Sequence, residues 1–237
     1  MSAGVLPVGE PVPGWTPRRP PPPTAMEGRF ARLEPLDPAR HAADLFAAFA
    51  ADVDGRMWTY MAYGPFATEG KYRAWLDAVA IGPDPLFHAI LDRATGSAAG
   101  VAAFLRIDPA NGVLEIGHIA LAPALQRSTA ATEALWLMLR RAFAELGYRR
   151  CEWKCDALNA ASCRAARRLG FSYEGTFRHA AIYKGRNRDT AWFSIIDQEW
   201  PALDAAFRAW LDPANLDATG RQRQGLAELR EQAPDTR

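Results

Sequence analysis

The chain has 237 residues, 49% hydrophobic and 23% charged, which suits one globular domain with a sizeable core. A formal net charge of +1 excludes the electrostatic footprint of a nucleic-acid binder or of a protein held on an anionic membrane. No apolar run approaches the ~20 residues of a membrane span, and no basic segment followed by an apolar stretch opens the N-terminus, so neither a span nor a signal peptide is expected.

Residues 1–25 carry eight of the eighteen prolines, including Pro20-Pro21-Pro22-Pro23, and read as a polyproline II extension unable to build helix or sheet alone. Trp15 is its one large apolar residue, so Pro13-Gly14-Trp15 is the piece that would dock on the domain. The alternation over 29–33 predicts a first strand. Pro38 opens a helix with Asp37 as N-cap and with Leu45, Phe46 and Phe49 on one face. A second helix is predicted over about 68–80, its apolar stripe made by Tyr72, Trp75, Leu76 and Val79. Strands over 86–91, 98–107 and 113–121 follow, joined by short turns into consecutive antiparallel hairpins.

A long helix is expected over 129–146, with Ala131, Leu135, Met138, Ala142 and Leu146 on its apolar face and Gly147 as its left-handed cap. A strand over 149–155, a helix over 159–169 stopped by Gly170, and strands over 172–183 and 190–196 complete the prediction. The domain is thus expected over 26–211, between the extension 1–25 and a polar tail 212–237 with a weak helical pattern at Leu226 and Leu229. Periodicity alone implies an α/β fold with a mostly antiparallel start.

Two motifs carry chemistry. Gln126, Arg127, Ser128, Thr129, Ala130, Ala131 and Thr132 lie between an apolar strand and an amphipathic helix. A turn there aims backbone N–H groups and the positive helix end at one spot, which suits a pyrophosphate. Asn159-Ala160-Ala161-Ser162 precedes Leu169-Gly170-Phe171; by itself Asn159 could be a helix N-cap. Together the two motifs resemble the acyl-CoA-binding half of the GNAT N-acyltransferases, most nearly the branch of the ribosomal-protein alanine and serine N-acetyltransferases. The resemblance covers roughly 28–200 and is strongest over 113–200.

The resemblance implies a mixed, mostly antiparallel seven-stranded sheet flanked by helices. It implies acetyl-CoA as co-substrate, no metal, and direct attack by an amine of a small molecule or a protein N-terminus; nucleic acid and membrane are not expected as partners, and a homodimer is compatible with it. The family loop is Gln/Arg-x-x-Gly-x-Gly/Ala, and here Thr129 replaces the central glycine. Threonine resists positive φ but costs little if the position is already helical. Backbone N–H groups of the strand Ile119, Ala120 and Leu121 would polarise the thioester carbonyl, and Asn159 and Ser162 would lie along the pantetheine arm and near the phosphates.

Glu115 stands eleven residues before Gln126, the offset of the general base in the histone-acetylating branch. An ammonium must lose a proton before it attacks a thioester, and a partly buried carboxylate can take it. Glu152, on the next strand, is the runner-up or an anchor for a cationic acceptor. Other branches have a tyrosine acid where this chain has Ala166, so the leaving thiolate needs Tyr183, Tyr173, Ser162 or water as donor. His118 is expected on the strand face opposite Glu115, as a satisfied core or interface histidine.

Cys151, Cys155 and Cys163 make an odd number in a mid-sized chain, so a reduced, cytoplasmic protein is the default. Cys151 and Cys155 share a strand face and read as buried free thiols, since no second pair completes a zinc site. The aromatic run over 58–66 either walls an acceptor pocket or fills the core, and the basic tip over 184–189 is a solvated turn that could attract an acidic acceptor. Two other readings stay open: a catalytically silent fold of this family that holds CoA or another ligand, and an interaction module built on the proline-rich extension.

Overall fold

The computed structural model describes residues 6–232. One eight-stranded sheet organises the chain, in the order β1-β2-β3-β4-β5-β6-β8-β7. Its strands are β1 (Met26–Glu27), β2 (Ala31–Pro35), β3 (Leu86–Asp92), β4 (Ala98–Asp108), β5 (Val113–Leu121), β6 (Arg150–Asp156), β7 (Ser172–Tyr183) and β8 (Arg186–Ile196). All neighbours are antiparallel except β5 and β6. The eighth strand is the two-residue β1, too short to leave a periodic mark in the sequence. Strand β8 begins at Arg186, four residues before its predicted start. Lys184 and Gly185 both have positive φ, so a tight two-residue turn replaces the expected longer tip.

Helix α1 (Pro38–Phe49) starts at its expected cap, and α2 (Glu69–Val79) starts one residue inside its expected bound, with Thr68 as cap. Asp37 accepts the Ala39 N–H at 2.9 Å, and Thr68 accepts the Lys71 N–H at 3.3 Å. They cover one face of the β2–β5 half, over a core of Leu45, Phe49, Trp58, Tyr72, Leu76, Phe87, Val101 and Ala120. Val79, placed in the α2 stripe by periodicity, is 42% exposed at the helix end.

Helix α3 (Thr129–Arg140) covers the opposite face with α4 (Ala160–Leu169) and α5 (Trp200–Leu211), over Leu33, Phe104, Leu114, Ile116, Trp153 and Phe193. Its last stretch, Arg141–Glu145, winds into a π turn before Gly147 closes it at φ +70°. Within that turn the Arg141 guanidinium donates to the Thr24 and Ala25 carbonyls of the N-terminal extension, at 2.6 and 2.9 Å. After α5, helix α6 (Leu226–Gln232) buries Leu226 in the same core. Cys151 and Cys155 are buried free thiols on the α3 side of β6, as expected, and burial raises both thiol pKa values. Among the described residues no helix is long and apolar enough to cross a membrane.

Candidate active site

The parallel pair β5–β6 opens into a fork. Only three positions pair, Val113 with Arg150, Leu114 with Cys151 and Glu115 with Glu152. Past them β5 runs on to Leu121 beside β4 alone, and β6 to Asp156 beside β8 alone. A bulge in β5 accompanies the divergence: Ala103 pairs with Gly117 and Val101 with Ala120, so His118 and Ile119 oppose one residue, Ala102. His118 takes φ +50° there. An extra residue bends and twists its strand, which carries β5 away from β6. The fork-side backbone of Ile119, Ala120 and Leu121 therefore has no strand partner.

At the mouth of the fork the predicted loop turns into α3. Ser128 is the N-cap: its hydroxyl accepts the Ala131 N–H at 3.0 Å and donates to the Leu125 carbonyl at 2.7 Å. Thr129 is the first helical residue, and the positive φ of the loop, +61°, falls on Arg127. That is the physical reason threonine fits where the family has glycine. The Thr129 hydroxyl accepts from Gln222 at 2.8 Å, and Gln126 holds the loop closed by donating to the Leu121 carbonyl at 2.9 Å. Thr132 donates to the Ser128 carbonyl at 3.2 Å and accepts from Arg168 at 3.2 Å. The N–H groups of Thr129 and Ala130 have no acceptor among the described residues, as the first N–H groups of a helix lack an intrahelical partner.

Asn159 is the N-cap of α4 and accepts the Ser162 N–H at 3.0 Å, while the Ser162 hydroxyl accepts from Trp153 at 2.9 Å. Both side chains flank the end of β6, on the far prong of the fork.

The carboxylates meet where the fork begins. Leu114 and Ile116 point into the α3-side core, so Glu115 faces the other way, as do Glu152, Lys154 and Asp156 on β6. Glu115 is 6% exposed. Lys154 lies between the two glutamates, with Nζ 3.0 Å from Glu115 Oε2 and 2.6 Å from Glu152 Oε2, and 3.8 Å above the Trp192 ring. The Glu115 contact is an ion pair without hydrogen-bond angles, and Glu115 Oε2 and Lys154 Nζ are both buried without a hydrogen-bond partner. Burial raises the Glu115 pKa, opposed by the cations of Lys154 and Arg106. For Glu152 burial also raises the pKa, but the Lys154 cation and the hydrogen-bonded Arg150 guanidinium outweigh it and the net shift is downward.

Tyr183 stands farther along this face and donates to Asp156 Oδ2 at 2.7 Å. Burial and the Asp156 charge push its pKa up to about 12. The structure thus brings Glu115 and Glu152 together and sets Tyr183 apart from them, because Asp156 lies four strand residues, about 13 Å, from Glu152.

One part of the expectation for His118 is overturned, its face, while its packing against core rings with a hydrogen-bond partner is as expected. The bulge breaks the alternation that would set it opposite Glu115, and its ring stacks on Tyr63 with centroids 5.7 Å apart and meets Phe87 at 4.9 Å, both on the α1–α2 side. Nδ1 lies 3.1 Å from the Tyr63 hydroxyl, and burial lowers the ring pKa. Of the two readings of the aromatic run over 58–66, the structure bears out the filling of the core. Trp58, Tyr63 and Phe66 pack the α1–α2 core, while Tyr60 donates to the Leu158 carbonyl at 3.1 Å and Lys184 donates to the Trp58 carbonyl at 2.8 Å. The run therefore bridges from α1 across to the far prong of the fork.

Sequence reasoning passed over Lys154 and the Tyr63–His118 contact. Lys154 was findable, since it stands two residues from Glu152 on a strand and shares its face. The bulge had no such signal. Among the described residues no group of His, Cys, Asp and Glu could hold a metal ion.

Comparison with known proteins agrees with this geometry. A family model described as an acetyltransferase (GNAT) domain matches residues 31–172, more than half of the chain. A GCN5-related N-acetyltransferase structure from Brucella melitensis is 48% identical with a TM-score of 0.91, covering 93% of this chain and all of that one. A probable acetyltransferase of the GNAT family from Chromobacterium violaceum is 42% identical with a TM-score of 0.77, covering 84% of this chain and all of its own. The Salmonella typhimurium acetyl transferase that modifies the N-terminal serine of a 50S ribosomal subunit protein shares the fold at 20% identity and a TM-score of 0.58, covering 71% of this chain and 96% of its own.

Proposed function

The chain belongs to the GNAT acetyltransferases, and from that premise we propose that it moves an acetyl group from acetyl-CoA to a primary amine, of a small molecule or a protein N-terminus, by direct attack. The observation that carries this reading is the buried carboxylate of Glu115 at the root of a fork whose mouth is a helix N-terminus with free N–H groups. The first turn of α3 and Arg127 would take the pyrophosphate, and the thioester would run between the prongs past Asn159 and Ser162.

In this mechanism Glu115 takes a proton from the acceptor ammonium, and burial raises its pKa toward that task. The freed nitrogen lone pair attacks the carbonyl carbon, and backbone N–H groups beside the β5 bulge stabilise the oxyanion. The C–S bond breaks, the attacking nitrogen gives its second proton to solvent as the amide forms, and the thiolate takes a proton from solvent or from Tyr183, which solvent then reprotonates, as it takes up the proton held by Glu115. Glu152 holds the acceptor cation beside Glu115.

One observation favours a second reading. Lys154 already occupies both glutamates, and a chain whose base is permanently neutralised would hold CoA without turnover. Release of free CoA thiol, measured over a panel of amines and N-terminal peptides, separates the two. Acetyl-CoA should raise the melting temperature in either case. Thiol release above the hydrolysis background with at least one amine supports the transferase, and none with any acceptor supports the silent binder.

A further inference from the structure

A second cavity lies outside the fork. It is a half-open cup of about 300 Å³ between the end of α1, the turn after it and the start of α2. Four rings line it in a closed circuit: Phe49 meets Trp58 at 5.4 Å, Trp58 meets Phe66 at 5.5 Å, Phe66 meets Tyr72 at 5.2 Å and Tyr72 meets Phe49 at 5.9 Å. Three of the four contacts are edge-to-face, with interplanar angles of 88°, 86° and 80°, so the rings turn in several directions and are not stacked. The Tyr72 hydroxyl is buried without a hydrogen-bond partner among the described residues.

The charged groups that line the cup are Asp52 and Asp54, both acids. Asp52 Oδ2 accepts the Met57 N–H at 2.8 Å, which leaves its other oxygen open. Asp54 has no ion pair or hydrogen bond among the described residues. Val53, 89% exposed, stands between them as an uncovered apolar rim. Of the basic side chains beside this wall, Arg56 is exposed on the turn next to Gly55, and Lys184 is engaged by the Trp58 carbonyl.

Aromatic faces are electron-rich, and rings disposed around a cavity with carboxylates at its mouth attract a cation with an apolar surface while offering little to an anion. Tyr63 and Trp75 stand between these rings and His118, and neither they nor Glu115 lines the cup. We propose that this cup is a second ligand site, separate from the acetyl-transfer centre, that takes an organic ammonium with an apolar body, such as a quaternary or alkylated amine.

The site stands independently of the transferase reading. Its test is calorimetric titration of the full chain, without acetyl-CoA, with choline and with dimethylbutanol, its neutral isostere carrying carbon in place of the ammonium nitrogen. Choline should bind saturably and about tenfold more tightly than the isostere. Asp54→Asn, an exposed change that does not threaten folding, should weaken choline severalfold and leave the isostere unchanged. Phe66→Leu should weaken both. Glu115→Gln should leave choline binding as it is. Equal affinity for the two probes, no choline binding up to about 10 mM, an unaffected Asp54→Asn variant, or loss of binding in Glu115→Gln would each overturn the proposal, the last by moving the cation to the fork.

Discussion

At the scale of single residues, the proposed chemistry turns on whether Glu115 can be a base while Lys154 lies 3.0 Å away. Burial and the ion pair act in opposite directions on its proton affinity, and burial prevails. If Glu115 is the base, Glu115→Gln keeps its shape but removes the acceptor, and turnover should fall by about 10²–10⁴ with acetyl-CoA affinity preserved. Glu152→Gln, an anchor lost, should raise KM for a cationic acceptor more than it lowers kcat. If instead Glu152→Gln loses turnover and Glu115→Gln keeps it, the two roles exchange. Lys154→Met supplies a sharper test. Removing the cation deletes the main influence that holds the Glu115 pKa down and leaves Glu152 beside it as a like charge, so the acid limb of kcat/KM against pH should move to higher pH by about one unit or more. An unmoved limb would mean that the group titrating in that limb is not Glu115. Glu115 was visible in the sequence through its offset from the loop, and Glu152 through its place on the next strand. Their neutralisation was not, since it depends on which strand β6 adjoins and how far the pair stays closed.

At the scale of elements, most of the architecture was legible because each helix and strand carries its own period and its own punctuation. Asp37, Gly147 and Gly170 all cap where their chemistry predicts, Gly170 at φ +102°. What failed was whatever spans fewer residues than one period. The two-residue β1 and the single extra residue at His118 leave no pattern to read, and that extra residue reverses the face of a side chain. The loop between β5 and α3 is the informative middle case. Its helical Thr129 follows a positive φ at Arg127, so glycine at 129 has nothing to relieve. Thr129→Gly should cost about 1–2 kcal/mol, from helix propensity and the lost bond to Gln222, and denaturant unfolding would measure it. Acetyl-CoA affinity should stay within about twofold if no contact to the cofactor is lost. Arg127→Glu should weaken that affinity instead, because it sets a negative charge beside the pyrophosphate. A large gain in affinity with Thr129→Gly would show that threonine obstructs the loop, and would favour the silent-binder reading.

At the scale of the whole molecule, the fork needs a closed end that stays closed, and distant parts of the chain meet there. Acid should loosen the fold first through His88, fully buried on β3 near the Phe104 ring with neither ring nitrogen hydrogen-bonded. Burial, aided by the Arg141 cation, lowers its pKa from the usual 6.5 to about 4. The unfolded chain therefore binds a proton that the folded one refuses, and stability present above pH 6.5 is lost as pH falls toward 4, by about 3 kcal/mol over that window. His88→Leu should flatten unfolding free energy against pH there, and an unchanged slope would assign the loss to other groups. The extension supplies the staple. Trp15 donates to the Ala110 carbonyl at 2.8 Å and packs under the guanidinium groups of Arg18 and Arg149, at 4.3 and 5.4 Å. Arg18 bonds Pro109 through its backbone N–H and Gly147 through its side chain, both at 2.9 Å. Gly112 sits beneath the indole with φ +64°, where a Cβ would overlap the ring. These contacts tie the β4–β5 turn to the entry of β6, next to the Val113–Arg150 pair from which the two prongs diverge. Trp15→Ala removes one hydrogen bond and two cation–π contacts and should cost about 1–3 kcal/mol, a fall in Tm of several degrees for a chain of this size. Because the staple lies at the closed end, acetyl-CoA affinity should change little while amide exchange over 113–115 and 150–152 speeds up. Unchanged exchange there, with the same loss of Tm, would make the extension a general stabiliser with no particular hold on the fork.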